Sequence, residues 1–131
     1  TKFANLRTYD DAADANRPVS GGGWQCADDW FDDLPAKVVV KCKLKLERLR
    51  ALGHELRRPE ADLLRDGIYE LRVGYQGLNY RMLYFFHGNI AAVISHGLTK
   101  ERAVPPVEMD RAIQRKAKFI LHPKGHQAEY P

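Results

Sequence analysis

Residues 69–86 read YELRVGYQGLNYRMLYFF, and the reading of this stretch decides the fold. Two apolar, aromatic runs flank Gln76-Gly77, and glycine supplies the positive φ that a tight hairpin turn needs. A two-residue turn at Gln76-Gly77 pairs Tyr75 with Leu78. A four-residue loop from Tyr75 to Leu78 pairs Gly74 with Asn79. Either choice sets Arg72 directly opposite Arg81. Opposed like charges destabilise a strand pair, by about 3 kcal/mol at roughly 5 Å and an effective dielectric near 20. Three arrangements relieve the repulsion. The stems lie flat with both heads in water, or Glu70 neutralises one head, or the pair is built for an anion. Phosphate is the best-fitting anion, because two forked guanidiniums can bracket its oxygens.

Working outward, strand-like runs cover 67–74, 79–86 and 90–96, the last two separated by the turn signal HGN. Residues 2–9 (KFANLRTY) read as a first strand, 10–23 as a polar loop ending in SGGG, and 24–32 (WQCADDWFD) as a short helix. Residues 35–52 form a longer helix, with Pro35 in its first turn and Gly53 as its stop. Val38, Val39, Cys42, Leu46, Leu49 and Leu52 make its apolar stripe. Residues 54–66 (HELRRPEADLLRD) read as a loop. The closing helix spans 105–121, with Met109, Ala112, Ile113, Ala117 and Ile120 as its apolar stripe, and the tail 122–131 reads as poorly ordered. The order is strand, helices, three antiparallel strands, helix. It predicts an α+β domain over 1–131, with a small, mostly antiparallel sheet and helices packed on one face.

The 131 residues carry a formal charge of +4, unevenly spread. Residues 1–33 hold three basic and seven acidic groups, whereas 34–131 hold eighteen basic and ten acidic. A basic body points to a polyanionic partner, RNA or DNA. On the long helix, Lys41, Lys45 and Arg48 offer a ribbon for nucleic-acid phosphates. On the closing helix, Arg111, Arg115 and Lys118 do the same at i, i+4, i+7. Two cysteines, Cys26 and Cys42, make no disulfide framework and read as reduced thiols in a cytoplasmic protein. No segment is long and apolar enough to span a membrane. A zinc site from His122, His126 and the cysteines is disfavoured, since HPKGH in a Gly/Pro tail reads as a loop.

The turn before the third strand decides where His96 lies. A two-residue turn at His87-Gly88 or Gly88-Asn89 puts it on the face of Arg81, whereas a three-residue loop puts it on the other. In the first case Glu70, Arg72, Arg81 and His96 share one face, with Lys100 a few residues on. Such a set can bind a phosphodiester and stabilise its transition state, with His96 moving a proton near neutral pH. RNA brings its own nucleophile, the 2′-hydroxyl, so neither a catalytic Ser or Cys nor a metal or other cofactor is required.

Read in order, GIYELRV, NYRMLYFF, HG, ISHGLTK and PPVEMDRAIQRKAKF resemble the RelE/HigB group of toxins of type II toxin–antitoxin systems, nearest its phage-derived HigB-like branch. The resemblance covers roughly residues 27–120. It implies a RelE-like fold and ribosome-dependent cleavage of mRNA by attack of the 2′-hydroxyl on the adjacent phosphate. By the same resemblance Arg72, Arg81, His96 and Lys100 act on RNA. A cognate antitoxin, itself a small DNA-binding protein, would inhibit the toxin, and operator DNA would be reached only through that complex. Two other readings stand beside it: a non-catalytic, degenerate toxin serving as an antitoxin-binding co-repressor, and a ribonuclease that needs no ribosome.

Overall fold

A computed structural model describes residues 5–9, 27–88, 91–100, 104–121 and 127–129. The elements run β1 (Asn5–Tyr9), α1 (Ala27–Asp32), α2 (Ala36–Leu52), β2 (Ala61–Arg65), β3 (Ile68–Tyr75), β4 (Leu78–His87), β5 (Ala91–Lys100), α3 (Pro106–Leu121) and β6 (Gln127–Glu129). They build one six-stranded sheet in the order β2-β3-β4-β5-β1-β6. Neighbours are antiparallel except β1 and β5, which run parallel. The loop expected over 10–23 lies outside the described residues, as do Cys26, His122 and His126.

The central hairpin follows from its turn. Gln76 and Gly77 take φ of 50° and 80°, the pattern of a type I′ turn, whose twist matches that of the flanking strands. Tyr75 therefore pairs with Leu78 and Arg72 with Arg81. The same chemistry builds a hairpin where a loop was expected. Asp66 and Gly67, at φ 52° and 78°, join β2 to β3 and pair Arg65 with Ile68. Asp-Gly is the turn's sequence signal. Its strand, ADLLR, is short and lies at the sheet edge with Leu63 exposed, so no clear apolar alternation marks it. The tail, expected to be poorly ordered, contributes β6, which pairs with β1.

Both faces of the sheet are apolar, and both are covered. Leu71, Val73, Tyr80, Met82, Tyr84 and Ile94 pack with Val38, Cys42, Leu46 and Leu49 of α2 and with Trp30 of α1. Ile68, Leu83, Phe85, Val93 and Leu98 pack with Ala112 and Phe119 of α3. The α+β class and the helical cover of one face thus hold for α1 and α2, while α3 covers the opposite face. Burial pushes the Cys42 thiol up to about 12, which makes it an inert packing group.

The stripe on α3 is phased differently from expectation. Ala112, Arg115 and Phe119 are its buried residues, whereas Ala117 and Ile120 are exposed. Arg115 occupies a core position because its guanidinium finds partners there. Nη1 donates to the Ser95 carbonyl at 2.5 Å, and the guanidinium lies 5.1 Å from the centre of the Tyr9 ring. Polar contacts of this kind are what make a buried charge tolerable.

Candidate functional site

The opposed arginines share one carboxylate. Glu70, only 1% exposed, takes Arg72 Nε on one carboxylate oxygen at 2.6 Å and Arg81 Nη1 on the other at 2.8 Å. Strand alternation puts Glu70 and Arg72 on one face two residues apart, and the register brings Arg81 beside them. Asp62 of β2 adds a second carboxylate, 3.1 Å from Arg72 Nη2 and 2.9 Å from Arg58 Nη2. The Arg58 hydrogen bond, with the charges of Arg58 and Arg72, holds the Asp62 carboxyl below the usual range despite some opposing desolvation. Three guanidiniums thus share two carboxylates. Arg81 Nε is buried without a hydrogen-bond partner in the protein, and an unmet buried donor costs about 1–3 kcal/mol.

A cleft opens beside this cluster. The Arg72 amide donates to the Glu60 carbonyl at 2.8 Å, where the pairing of β2 with β3 ends at Ala61 and Leu71. Beyond that point the edge of β3 faces α2 instead of a strand. Lys41, Leu44, Lys45 and Arg48 of α2 and Arg72, Val73 and Gly74 of β3 line a cleft of about 760 Å³, completed by Pro59, Glu60 and Asn79. Glu60 binds Lys45 Nζ at 3.1 Å and Arg48 Nε at 2.8 Å. The Arg48 hydrogen bond leads in holding its carboxyl below the usual range. Lys41 is exposed.

The remaining expected residues lie elsewhere. The register closes β4 on β5 at His87 and Ala91, a spacing that by itself turns His96 away from Arg81. A bulge then shifts the register, because Tyr84 pairs with Ile94 but Leu83 pairs with His96. The extra residue, Ser95, restores His96 to the Arg81 face. There it is covered by α3 and only 2% exposed, with Nδ1 2.8 Å from Ser95 Oγ and Nε2 3.2 Å from Glu108 Oε1. The Glu108 contact has ion-pair geometry, yet desolvation, aided by Arg115 and Arg111, pushes the imidazole down to about 3. The neutral ring then accepts a hydrogen bond from the Ser95 hydroxyl at Nδ1 and donates one from Nε2–H to Glu108. His96, expected to move a proton near neutral pH, therefore lies buried between β5 and α3 with its ring held neutral. Ser95, beside it, is fully buried as well.

Arg115, expected on an RNA-binding face, is buried, and the core contacts described above are the reason. Arg111 remains one-third exposed, 3.4 Å from Glu108, and Lys118 is half-buried in the same helix. Lys100 pairs with Asn79 at the end of β5, and its side chain lies outside the described residues. Glu60 and Asp62 were missed because they sit in the stretch read as a loop. The Asp-Gly turn was the signal for both. Glu70 carried its own signal, its i, i+2 spacing to Arg72.

Among the described residues no three His, Cys, Asp or Glu side chains gather as metal ligands, and no helix is long and apolar enough to cross a membrane. A family model described as "Phage derived protein Gp49-like (DUF891)" matches residues 29–117, the span from α1 through most of α3. No curated protein matches the chain closely.

Proposed function

The chain belongs to the phage-derived Gp49-like family, which is associated with toxins of toxin–antitoxin systems, and from that premise we propose that it is a ribosome-dependent mRNA endoribonuclease held in check by a cognate antitoxin. One observation carries this reading. Lys41, Lys45 and Arg48 from a helix face and Arg72 from a hairpin, basic residues of separate elements, line a single cleft. Arg81 joins Arg72 through Glu70 at its side.

In this reading the cleft carries the RNA backbone and the arginines face the scissile phosphate. The 2′-hydroxyl loses its proton as its oxygen bonds phosphorus. The bond from phosphorus to the 5′-oxygen breaks, and that oxygen gains a proton. A cyclic 2′,3′-phosphate and a 5′-hydroxyl result. Arg72 and Arg81 stabilise the charge that grows on the phosphoryl oxygens, the effect that commonly dominates such catalysis. His96 serves this site by fixing α3 beside Arg81 and does not touch RNA.

The test is incubation of purified protein with a defined mRNA, with and without programmed ribosomes, and a growth assay on inducing the gene with and without its neighbour. The expected result is cleavage only on ribosomes, cyclic phosphate ends, and growth arrest relieved by the neighbouring gene. Tight binding of the neighbour's product without cleavage would mark a degenerate, repressor-type role. Cleavage of free RNA would remove the ribosome from the mechanism.

A further inference from the structure

We infer that Glu70 is a positioning residue, whose buried carboxylate grips Arg72 and Arg81 and leaves the side-on edge of Arg81 set for an oxyanion. The identity of that anion as the scissile phosphate rests on the proposed function, whereas the clamp rests on geometry alone.

The two arginines use their donors differently. Arg72 spends its side-on edge within the protein, giving Nε to Glu70 and Nη2 to Asp62. Arg81 gives Nη1 to Glu70 at 2.8 Å, which leaves Nε and Nη2, the pair of donors that binds an oxyanion in a fork. Nε is buried and makes no hydrogen bond within the protein. Buried donors are nearly always satisfied, so this unmet donor beside a paired Nη1 is an edge that an acceptor from outside the chain would complete. The clamp is also rigid. Glu70 is 1% exposed, Arg81 is 9% exposed, and Leu83 lies directly across from Glu70. Arg72, more than a third exposed at its side chain, keeps Nη1 beyond the two carboxylates. One anchored fork and one looser donor thus sit side by side, and one carboxylate fixes the direction of both.

The test compares wild type with Glu70→Gln and Glu70→Asp, each corrected for its folded fraction by thermal melting. The first readout is NMR of the arginine Nε–H signals during titration with inorganic phosphate. The Arg81 signal should shift saturably in wild type, with affinity at least about tenfold weaker in Glu70→Gln. The second is single-turnover cleavage on programmed ribosomes. Glu70→Gln should lose about 10–100-fold in kcat, the scale of a small misplacement of a reacting group, with KM within about threefold. Glu70→Asp should recover part of the rate. A full rate per folded Glu70→Gln molecule with an unchanged phosphate titration overturns the inference. So does an Arg81 signal that phosphate does not move in wild type, whether or not the variants fold. A wild-type protein that binds phosphate at Arg81 but leaves mRNA intact on ribosomes keeps the clamp and removes the nuclease reading.

Discussion

Arg115 of α3 donates from Nη1 to the carbonyl oxygen of Ser95 in β5, 2.5 Å away, and both residues are buried. Ser95 is the extra residue of the bulge that sets the face of His96. A single hydrogen bond therefore ties the closing helix to the irregularity in the sheet. Arg115→Ala should cost about 3 kcal/mol, from removal of the charged hydrogen bond and the space left in the core. RNA affinity per folded molecule should not change. Urea unfolding together with ribosome binding measures both. A fully stable variant with weakened binding would return Arg115 to a surface role.

The buried imidazole predicts the acid response. His96 is pushed from 6.5 down to about 3 by desolvation, then by Arg115 and Arg111. Below 6.5 the unfolded chain binds a proton that the folded chain refuses, so stability falls as the pH drops. Glu108, which faces the ring at 3.2 Å, opposes the effect only in part. The loss between pH 7 and pH 5 should be about 2 kcal/mol. His96→Gln should flatten this part of the curve, as read from Tm against pH. An equally steep curve in the variant would assign the effect to other groups.

Arg72→Ala and Arg81→Ala should each slow single-turnover cleavage by about 10²–10³-fold, as for loss of one preorganised donor. Their effects on stability should differ. Repulsion alone would make either change harmless, but Glu70 holds both heads. Removing Arg81 strips the buried carboxylate of its more buried partner and should cost about 2 kcal/mol. Removing Arg72, which is more exposed, should cost less. Equal melting temperatures for the two variants would argue against the clamp.

Reversing Lys41, Lys45 and Arg48 to glutamate should weaken ribosome binding strongly. The salt dependence should fall by about one unit of slope for each phosphate that is no longer neutralised. Arg111→Glu, on the face of the sheet opposite α2, should act more weakly. Binding measured across a salt series decides this. An unchanged slope would leave the cleft lysines as solvated surface.

Gly97 lies where a Cβ would overlap the Trp30 indole. Gly97→Ala should therefore cost about 1–3 kcal/mol through overpacking, seen as a lower urea midpoint. A neutral outcome would mean that α1 shifts freely on the sheet.

Much of this protein is written locally. Gln76-Gly77 fixes the central hairpin and the facing of Arg72 and Arg81, because a turn with two left-handed residues leaves one register. The spacing of Val38, Cys42, Leu46 and Leu49 fixes the buried side of α2, because a helix repeats about every 3.6 residues. Asp66-Gly67 held the β2 hairpin just as plainly, though the edge strand beside it showed no alternation.

Tertiary structure alone decided the rest. The parallel pairing of β1 with β5 joins segments far apart in the chain. The bulge at Ser95 reverses the face that the loop length alone assigns to His96, a shift of one residue that no apolar pattern records. Arg115 is buried where helical spacing expected a surface charge, because the Ser95 carbonyl of β5 and the ring of Tyr9 in β1 meet it there. The repulsion between Arg72 and Arg81 is resolved by one carboxylate with two oxygens at the right distances. Sequence order sets which side chains share a face; only packing sets which atoms meet.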